Sequence, residues 1–325
     1  MSAFVVAFSL FLHPQEVVIS RLFAATESGP FVSYSWGEHW SGLDGDLRGF
    51  TGNLHAFVCL GPKVYAGGPD GLFVSEDYGE TYLRVASFPA RDVTVLLTAR
   101  LFDLEPTLFV GTKEGLYRSK DAGYKWVRVG EDLVIGEVRA MSWPGPELFV
   151  VSGADLHRSK DGGEGWERLG SNLPDVPLLS LAVAEFFAIE PTVFVGTRRS
   201  GLHKSVDGGI RFEPVRDAEL DQNTVTDLFW WRSLLLIGAE DGLFLTSDEG
   251  ESVEKVKALQ GRSILAFSVP AAEVGPSDIL VGTDRGVYKS SDGALTFRLV
   301  DEGMGLARVF HLATFPMFAQ DHERR

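Results

Sequence analysis

The acidic and basic side chains of this 325-residue chain are numerous enough to invite chemistry, but their spacing singles out none. Glycoside hydrolysis needs two carboxylates facing each other across a cleft. Candidates abound: Asp44, Asp46, Asp70, Asp92, Glu131, Asp132, Glu240, Asp241 and Asp284. With so many, no pair stands apart. The seven histidines (13, 39, 55, 157, 203, 311 and 322) show neither HxH nor HExxH spacing, so no metal site is expected. GxSxG is absent, and no Gly-rich phosphate loop opens a helix. No catalytic residue and no cofactor is therefore assigned. On the basic side stand Arg91, Lys113, the adjacent Arg198 and Arg199, and Arg285, with TRRSG (197–201) forming a local basic spot in an acidic molecule. Together with Glu240, Asp241 and Asp284, these are the candidate partner- or ligand-binding residues.

Such residues matter only where a scaffold holds them, and the scaffold is legible from a turn repeated seven times. It reads Ser/Thr, any residue, Asp, any residue, Gly, two of any kind, then an aromatic. The copies are SYSWGEHW at Ser33, SEDYGETY at Ser75, SKDAGYKW at Ser119, SKDGGEGW at Ser159, SVDGGIRF at Ser205, TSDEGESV at Thr246 and SSDGALTF at Ser290. Successive starts lie 42, 44, 40, 46, 41 and 44 residues apart, the period of a repeated supersecondary unit. The acids Asp77, Asp121, Asp161, Asp207, Asp248 and Asp292 suit a tight turn, accepting backbone N–H bonds while Gly supplies a positive φ. The aromatics, including Trp40, Trp126 and Trp166, can anchor each turn on the layer beneath. Three copies are degenerate: Ser35 replaces Asp, Val253 replaces the aromatic, and Ala294 replaces Gly.

Around each turn the same short β-rich runs recur. VTVLLTA, TLFVGT and GLYRS precede the third copy and WVRV follows it, and LLSLAVA, TVFVGT, GLHKS and FEPV repeat that order in the fifth unit. Four runs separated by Gly, Pro and charge are a four-stranded antiparallel meander. The first is nearly all apolar and the third and fourth alternate with Lys, Arg and Glu, a grading from buried to exposed. The expected fold is all-β: a seven-bladed β-propeller with four antiparallel strands per blade, residues 1–325 forming one domain. The candidate residues then fall on hairpins near 68–70, 112–114, 197–200, 239–241 and 283–285, or on the connections between blades, at the face opposite the repeated turns.

The repeated turn resembles the Asp-box, or BNR, repeat of sialidases, xyloglucanases, the luminal domain of sortilin and photosystem II assembly-factor propellers, over roughly residues 20 to 300. In those families the box lies between the third and fourth strands of each blade, away from the usual binding face. The resemblance implies a structural role for the six box aspartates and their aromatics. Sialidases also use an early Arg-Ile-Pro motif and a Tyr nucleophile. Here the nearest equivalent is Arg21-Leu22-Phe23, and every Tyr lies in a box or in a second or third strand. Xyloglucanases form their cleft between two propellers, and this chain offers one. The reading therefore leans against an enzyme, and if it is one, a glycosidase. A non-enzymatic scaffold or assembly subunit with a protein partner is expected, with carbohydrate binding or cleavage the alternative.

A formal net charge of −15 at a sequence pI near 4.9 argues against nucleic acid, which needs clustered Lys and Arg. The single cysteine, Cys59, excludes an internal disulfide and reads as a buried small hydrophobe. The opening MSAFVVAFSLFL lacks a basic leader and is too short to span a bilayer, so the expected location is cytoplasmic, with export the alternative if a leader has been removed. Eight inner strands compete for seven slots. ARVFHLATF (307–315) is expected to close blade one, leaving AFVVAFSL as a displaced strand that could pair with a partner.

Overall fold

The computed structural model describes residues 17–43, 54–60, 63–99, 106–134, 136–184, 187–231, 233–269 and 278–318. Seven four-stranded antiparallel sheets stand in a ring, and the only helical turn among the described residues is Lys257–Leu259. This is a seven-bladed all-β propeller. Blade three shows the plan: Val93–Thr98 innermost, then Leu108–Thr112, Gly115–Ser119 and the short outer Val127–Val129. Alternation along its second strand explains the burial. Leu108 and Val110 face blade two while Phe109 faces blade four, and all three are fully buried. The outer strand buries Val129 but exposes both Arg128 and Val127, so the expected alternation of apolar and charged residues fails at Val127.

There is no single core. The buried apolar residues fall into seven clusters, each shared by two neighbouring blades. Glycine makes the closest of these approaches possible. A Cβ on Gly67 would stand 2.2 Å from Val93 of the next blade, and on Gly111 2.7 Å from Val138. Trp230 and Trp231, adjacent on one strand, point to opposite faces and pack into the clusters on either side of blade six.

The repeated turns also join blades. The carbonyl of the fourth residue of the turn faces the preceding blade and accepts a donor from it: Arg21 to Tyr78, Tyr65 to Ala122, Arg118 to Gly162, Arg158 to Gly208, and Lys289 to Trp36. Glu80 and Glu164 add a carboxylate to Arg21 and Arg118. Four of these donors are buried cations with an acidic or carbonyl partner, as buried charge requires.

Blade one is composite. Its innermost strand is the C-terminal segment Val309–Phe318, antiparallel to Val17–Thr26 over nine paired positions, followed by Gly29–Ser33 and Ser41–Gly42. Both ends of the described chain therefore share one sheet. The expected displaced strand AFVVAFSL lies outside the described residues.

Candidate binding face

Antiparallel strands turn alternately at the two faces of the ring. At one face, the hairpin between the second and third strands of each blade is bonded to the connection that enters the same blade. Lys113 N–H donates to the Asp92 carbonyl, Arg198 to Pro177, Glu240 to Thr224, and Asp284 to Ser263. Every candidate partner-binding residue sits on this stitched face, and the seven turns occupy the other.

The structure brings some of those candidates together and separates others. Arg198, Arg199 and Glu240 line one hollow of about 510 Å³ with Leu179, Thr224 and Thr226, between blades five and six. Both guanidinium groups are exposed and have no hydrogen bond or ion pair among the described residues. Their hairpin is held firmly: Thr197 Oγ1 donates to the Gly201 carbonyl at 2.8 Å, Gly201 N–H donates to Asn223, and Arg199 sits at φ 60°. At the back of the hollow, Thr224 is 4% exposed and its Oγ1 has no partner. The other candidates lie apart and are mostly engaged. Lys113 pairs with Asp92 at 3.1 Å, Asp241 with Lys255 at 2.7 Å, and Asp284 accepts the Ser263 N–H. Arg91 and Arg285 are exposed on blades distant in sequence. Asp44 and Asp46 fall outside the described residues.

The turns on the opposite face satisfy themselves. Ser119 Oγ donates to Asp121 Oδ1 at 2.8 Å and accepts the Gly123 N–H, and Asp121 Oδ1 accepts the Lys125 N–H. The same set recurs at Asp77, Asp161, Asp207, Asp248 and Asp292. The degenerate copies explain themselves. Ser35 accepts the His39 N–H at 2.8 Å in place of a carboxylate, and Ala294 holds φ 73° where other copies place Gly. Trp126 and Trp166 are only half-buried and donate back to their own turns, at Gly123 and Gly163, whereas Trp40 is buried and crosses to blade seven.

These bonds hold the carboxylates ionised. Asp248 and Asp292 are lowered to about 2, first by the hydroxyls of Ser252 and Thr296, then by the N–H groups of the same residues. Asp121, Asp161 and Asp207 are lowered chiefly by the N–H of Lys125, Gly165 and Arg211. A depressed folded value means stability that is present above the ordinary 3.8 and is lost as pH falls through the folded value. We expect carboxyl ¹³C titrations of Asp248 and Asp292 with midpoints near 2, and a urea midpoint that falls as pH drops from about 4 towards 2. Midpoints at the ordinary value would contradict these bonds.

Sequence reading missed the central channel. Its wall of about 590 Å³ takes residues from all seven inner strands, among them His55, Cys59, Arg139, Asp227 and His311. Asp227 Oδ1 accepts the Leu228 N–H at 2.9 Å and Oδ2 accepts the Phe267 N–H of the next blade at 3.1 Å. Enclosure by the wall raises its carboxyl to about 7, against the pull of those two bonds. His311 Nε2 lies 3.2 Å from the Phe57 carbonyl, and burial lowers its pKa. Burial pushes the Cys59 thiol up to about 12, as befits an inert side chain. An alternating apolar strand predicts none of this, because the inward residue is set by a bulge, seen between Val225 and Asp227.

The sequence matches no protein-family model and no curated protein. Solved structures do resemble it. YCF48 bound to D1 peptide is 14% identical with a TM-score of 0.63, covering 85% of this chain and 92% of that one. A GH74 enzyme of Niastella koreensis is 12% identical with a TM-score of 0.60, covering 89% of this chain and 46% of the enzyme. The extracellular domain of a one-component system from B. thetaiotaomicron is 18% identical with a TM-score of 0.61, covering 76% of this chain and 33% of that one. The chain thus spans about a third of that extracellular domain and under half of that enzyme. These neighbours are propellers of the sialidase, GH74 and YCF48 type, and at such identities the likeness shows the fold alone.

Proposed function

We propose that this protein is a non-enzymatic binding scaffold or assembly subunit, holding a protein partner on the face opposite the repeated turns. One observation carries this reading: Arg198 and Arg199 are two exposed guanidiniums, unpaired among the described residues, on a firmly held hairpin beside the buried unpartnered hydroxyl of Thr224, in a molecule of net charge −15. Guanidinium pairs suit carboxylates, so the partner's contact is an acidic side chain or a chain-terminal carboxylate. The YCF48 neighbour, a propeller that binds a peptide, supports the class of partner. Of the acids on the same face, Asp92, Asp241 and Asp284 are tied to cations or N–H groups, which leaves fewer free for the carboxylate pair that glycoside cleavage needs. No helix among the described residues is long and apolar enough to cross a membrane.

Capture from native lysate tests the reading. The double charge reversal Arg198→Glu/Arg199→Glu should remove the captured partner while leaving the melting temperature unchanged, because neither side chain is buried. Asp121→Ala, on the other face, should lower stability and retain the partner below its melting temperature. Retention by the charge-reversed protein, together with hydrolysis of a β-glucan panel well above buffer, would replace this reading with the enzymatic one.

A further inference from the structure

Blade five carries a turn unlike its copies. At the second and sixth positions stand Val206 and Ile210, and no other copy is aliphatic at both. In three copies the sixth residue is a glutamate that pairs with a cation of the preceding blade: Glu38 with Lys289, Glu80 with Arg21 and Glu164 with Arg118. Blade four serves its own cation instead. Arg158 meets Glu147 at 3.1 Å and Glu167 at 2.8 Å, both within its own blade, so the sixth position of the following turn is released from that bond. Ile210 is 55% exposed there and Val206 63%. Packing accounts for neither.

Between this turn and blade four lies a cleft of about 500 Å³. Pro144 and Pro146 line it from blade four, and Phe187, Ala188, Ile189 and Pro191 from blade five. Ile189 is 81% exposed, more than any other large apolar side chain among the described residues. The walls are held in place: Gly208 N–H donates to the Pro191 carbonyl at 2.9 Å, Arg158 Nη1 donates to the Gly208 carbonyl at 3.3 Å, and the Phe187 ring stands edge-on to Phe149 at 5.1 Å between centroids. Exposed apolar surface gathered around a cleft marks an interaction site. A preformed one loses little ordering entropy on binding.

Charge decides what covers it. Across the seven turns the six aspartates are joined by six glutamates, against four Lys and Arg, so this face is acidic. Beside the patch, Glu190 adjoins Ile189, and the turn of blade six abuts blade five through Glu249 and Lys204 at 2.9 Å. That turn carries Asp248, Glu249 and Glu251 and no base. Glu190 and Glu251 are exposed, and their carboxylates have no partner among the described residues. A second copy of the chain and an anionic membrane would both bring like charge to this face, which opposes them. Apart from Arg158, the lining residues lie in hairpins and the turn, so recognition falls to side chains rather than to a strand added at a sheet edge.

We propose that this patch docks a basic amphipathic helix of a partner protein, with its aliphatic side chains in the cleft and against Ile189, Val206 and Ile210, and its flanking Lys or Arg over Glu190 and Glu251. Residues three and four apart on a helix share one face, which lets one helix fill the cleft and cover the exposed rim. Burial of the aliphatic side chains supplies the affinity, and the acids set which partner approaches. The site lies on the face opposite Arg198 and takes a partner of the opposite charge, so it goes beyond the scaffold reading and stands or falls apart from it.

The probe is an amphipathic leucine–lysine peptide of about four helical turns, with a serine–lysine peptide that lacks the apolar face and a leucine–glutamate peptide that lacks the positive charge as controls. By fluorescence anisotropy in 150 mM salt we expect saturable one-to-one binding of the first, at least tenfold tighter than either control. Ile189→Ser/Ile210→Ser should weaken it at least tenfold with the melting temperature unchanged, because both side chains are exposed. Leu295→Ser, which removes a similarly exposed aliphatic from the sixth position of the blade-seven turn, should leave it unchanged. Glu190→Lys/Glu251→Lys should weaken it and flatten its salt dependence. Arg198→Glu/Arg199→Glu should not weaken it, which separates this site from the opposite face. Equal binding of the serine–lysine peptide, or affinity that survives Ile189→Ser/Ile210→Ser, would reduce the effect to attraction by the acidic surface and overturn the proposal. So would loss of a homodimer, or of binding to phosphatidylcholine vesicles, on the same two substitutions, which would give the patch to a second copy or to a lipid surface.

Discussion

Removing residues 307–325 should abolish the cooperative melt of this protein, or lower its midpoint by tens of degrees. The segment Val309–Phe318 is the inner strand of blade one and pairs with Val17–Thr26 over nine positions. Its Val309 and Leu312 lie buried in the cluster shared by blades seven and one, and Ala313 packs against the cluster shared by blades one and two. Losing a single large buried side chain costs about 2–5 kcal/mol, against a total stability of roughly 5–15 kcal/mol for a typical domain. Deletion removes several at once and leaves Val17–Thr26 as the unpaired inner edge of blade one. Removing residues 2–11 should cost little, because the inner slot of blade one is already filled. Scanning calorimetry of the two truncations decides the matter. A small change on C-terminal truncation with a collapse on N-terminal truncation would assign closure to the other end.

The second large effect belongs to Trp40. Its ring is 3% exposed in the cluster between blades seven and one, and Nε1 donates to the Val300 carbonyl at 2.7 Å across the closure seam. Its own backbone N–H bonds Glu302 of blade seven. Trp40→Ala should therefore lose about 3–5 kcal/mol by cavity formation, plus about 1–3 kcal/mol if the Val300 carbonyl is left without its donor. Trp126→Ala and Trp166→Ala should cost distinctly less, since those rings are half-buried and bond within their own turns. Urea unfolding of the three variants checks the order. Equal losses would mean that the seam carries no more than any other blade boundary.

The fold was legible because its signals are local and repeated. Ser119, Asp121 and Gly123 bond to one another within five residues, so the pattern that makes the turn is the pattern seen in the chain. The glycines of the GT pairs were equally visible, although their reason is distant: Gly111 must admit Val138 of the next blade. Burial of each aromatic was not legible. Trp40 and Trp126 occupy the same motif position, and only the partner blade makes one deeper than the other. The cation before the turn was likewise seen as strand alternation, yet Arg118 and Arg158 reach the following blade's turn. Of the binding face, the TRRSG spot was readable as composition. That Arg198, Arg199 and Glu240 share a hollow with Thr224 depends on two connections meeting in space. Asp227 was least visible, since one bulged residue decides whether it faces the channel.

The scaffold reading rests on which face meets the partner, and hydrogen exchange measured by mass spectrometry on the complex with the captured partner tests it most directly. The account predicts slowed exchange at 197–201, 223–226 and 239–241, with the turns beginning at Ser75, Ser119, Ser159 and Ser205 unchanged. Protection confined to those turns, with the Arg198 hairpin exchanging as in the free protein, would contradict it.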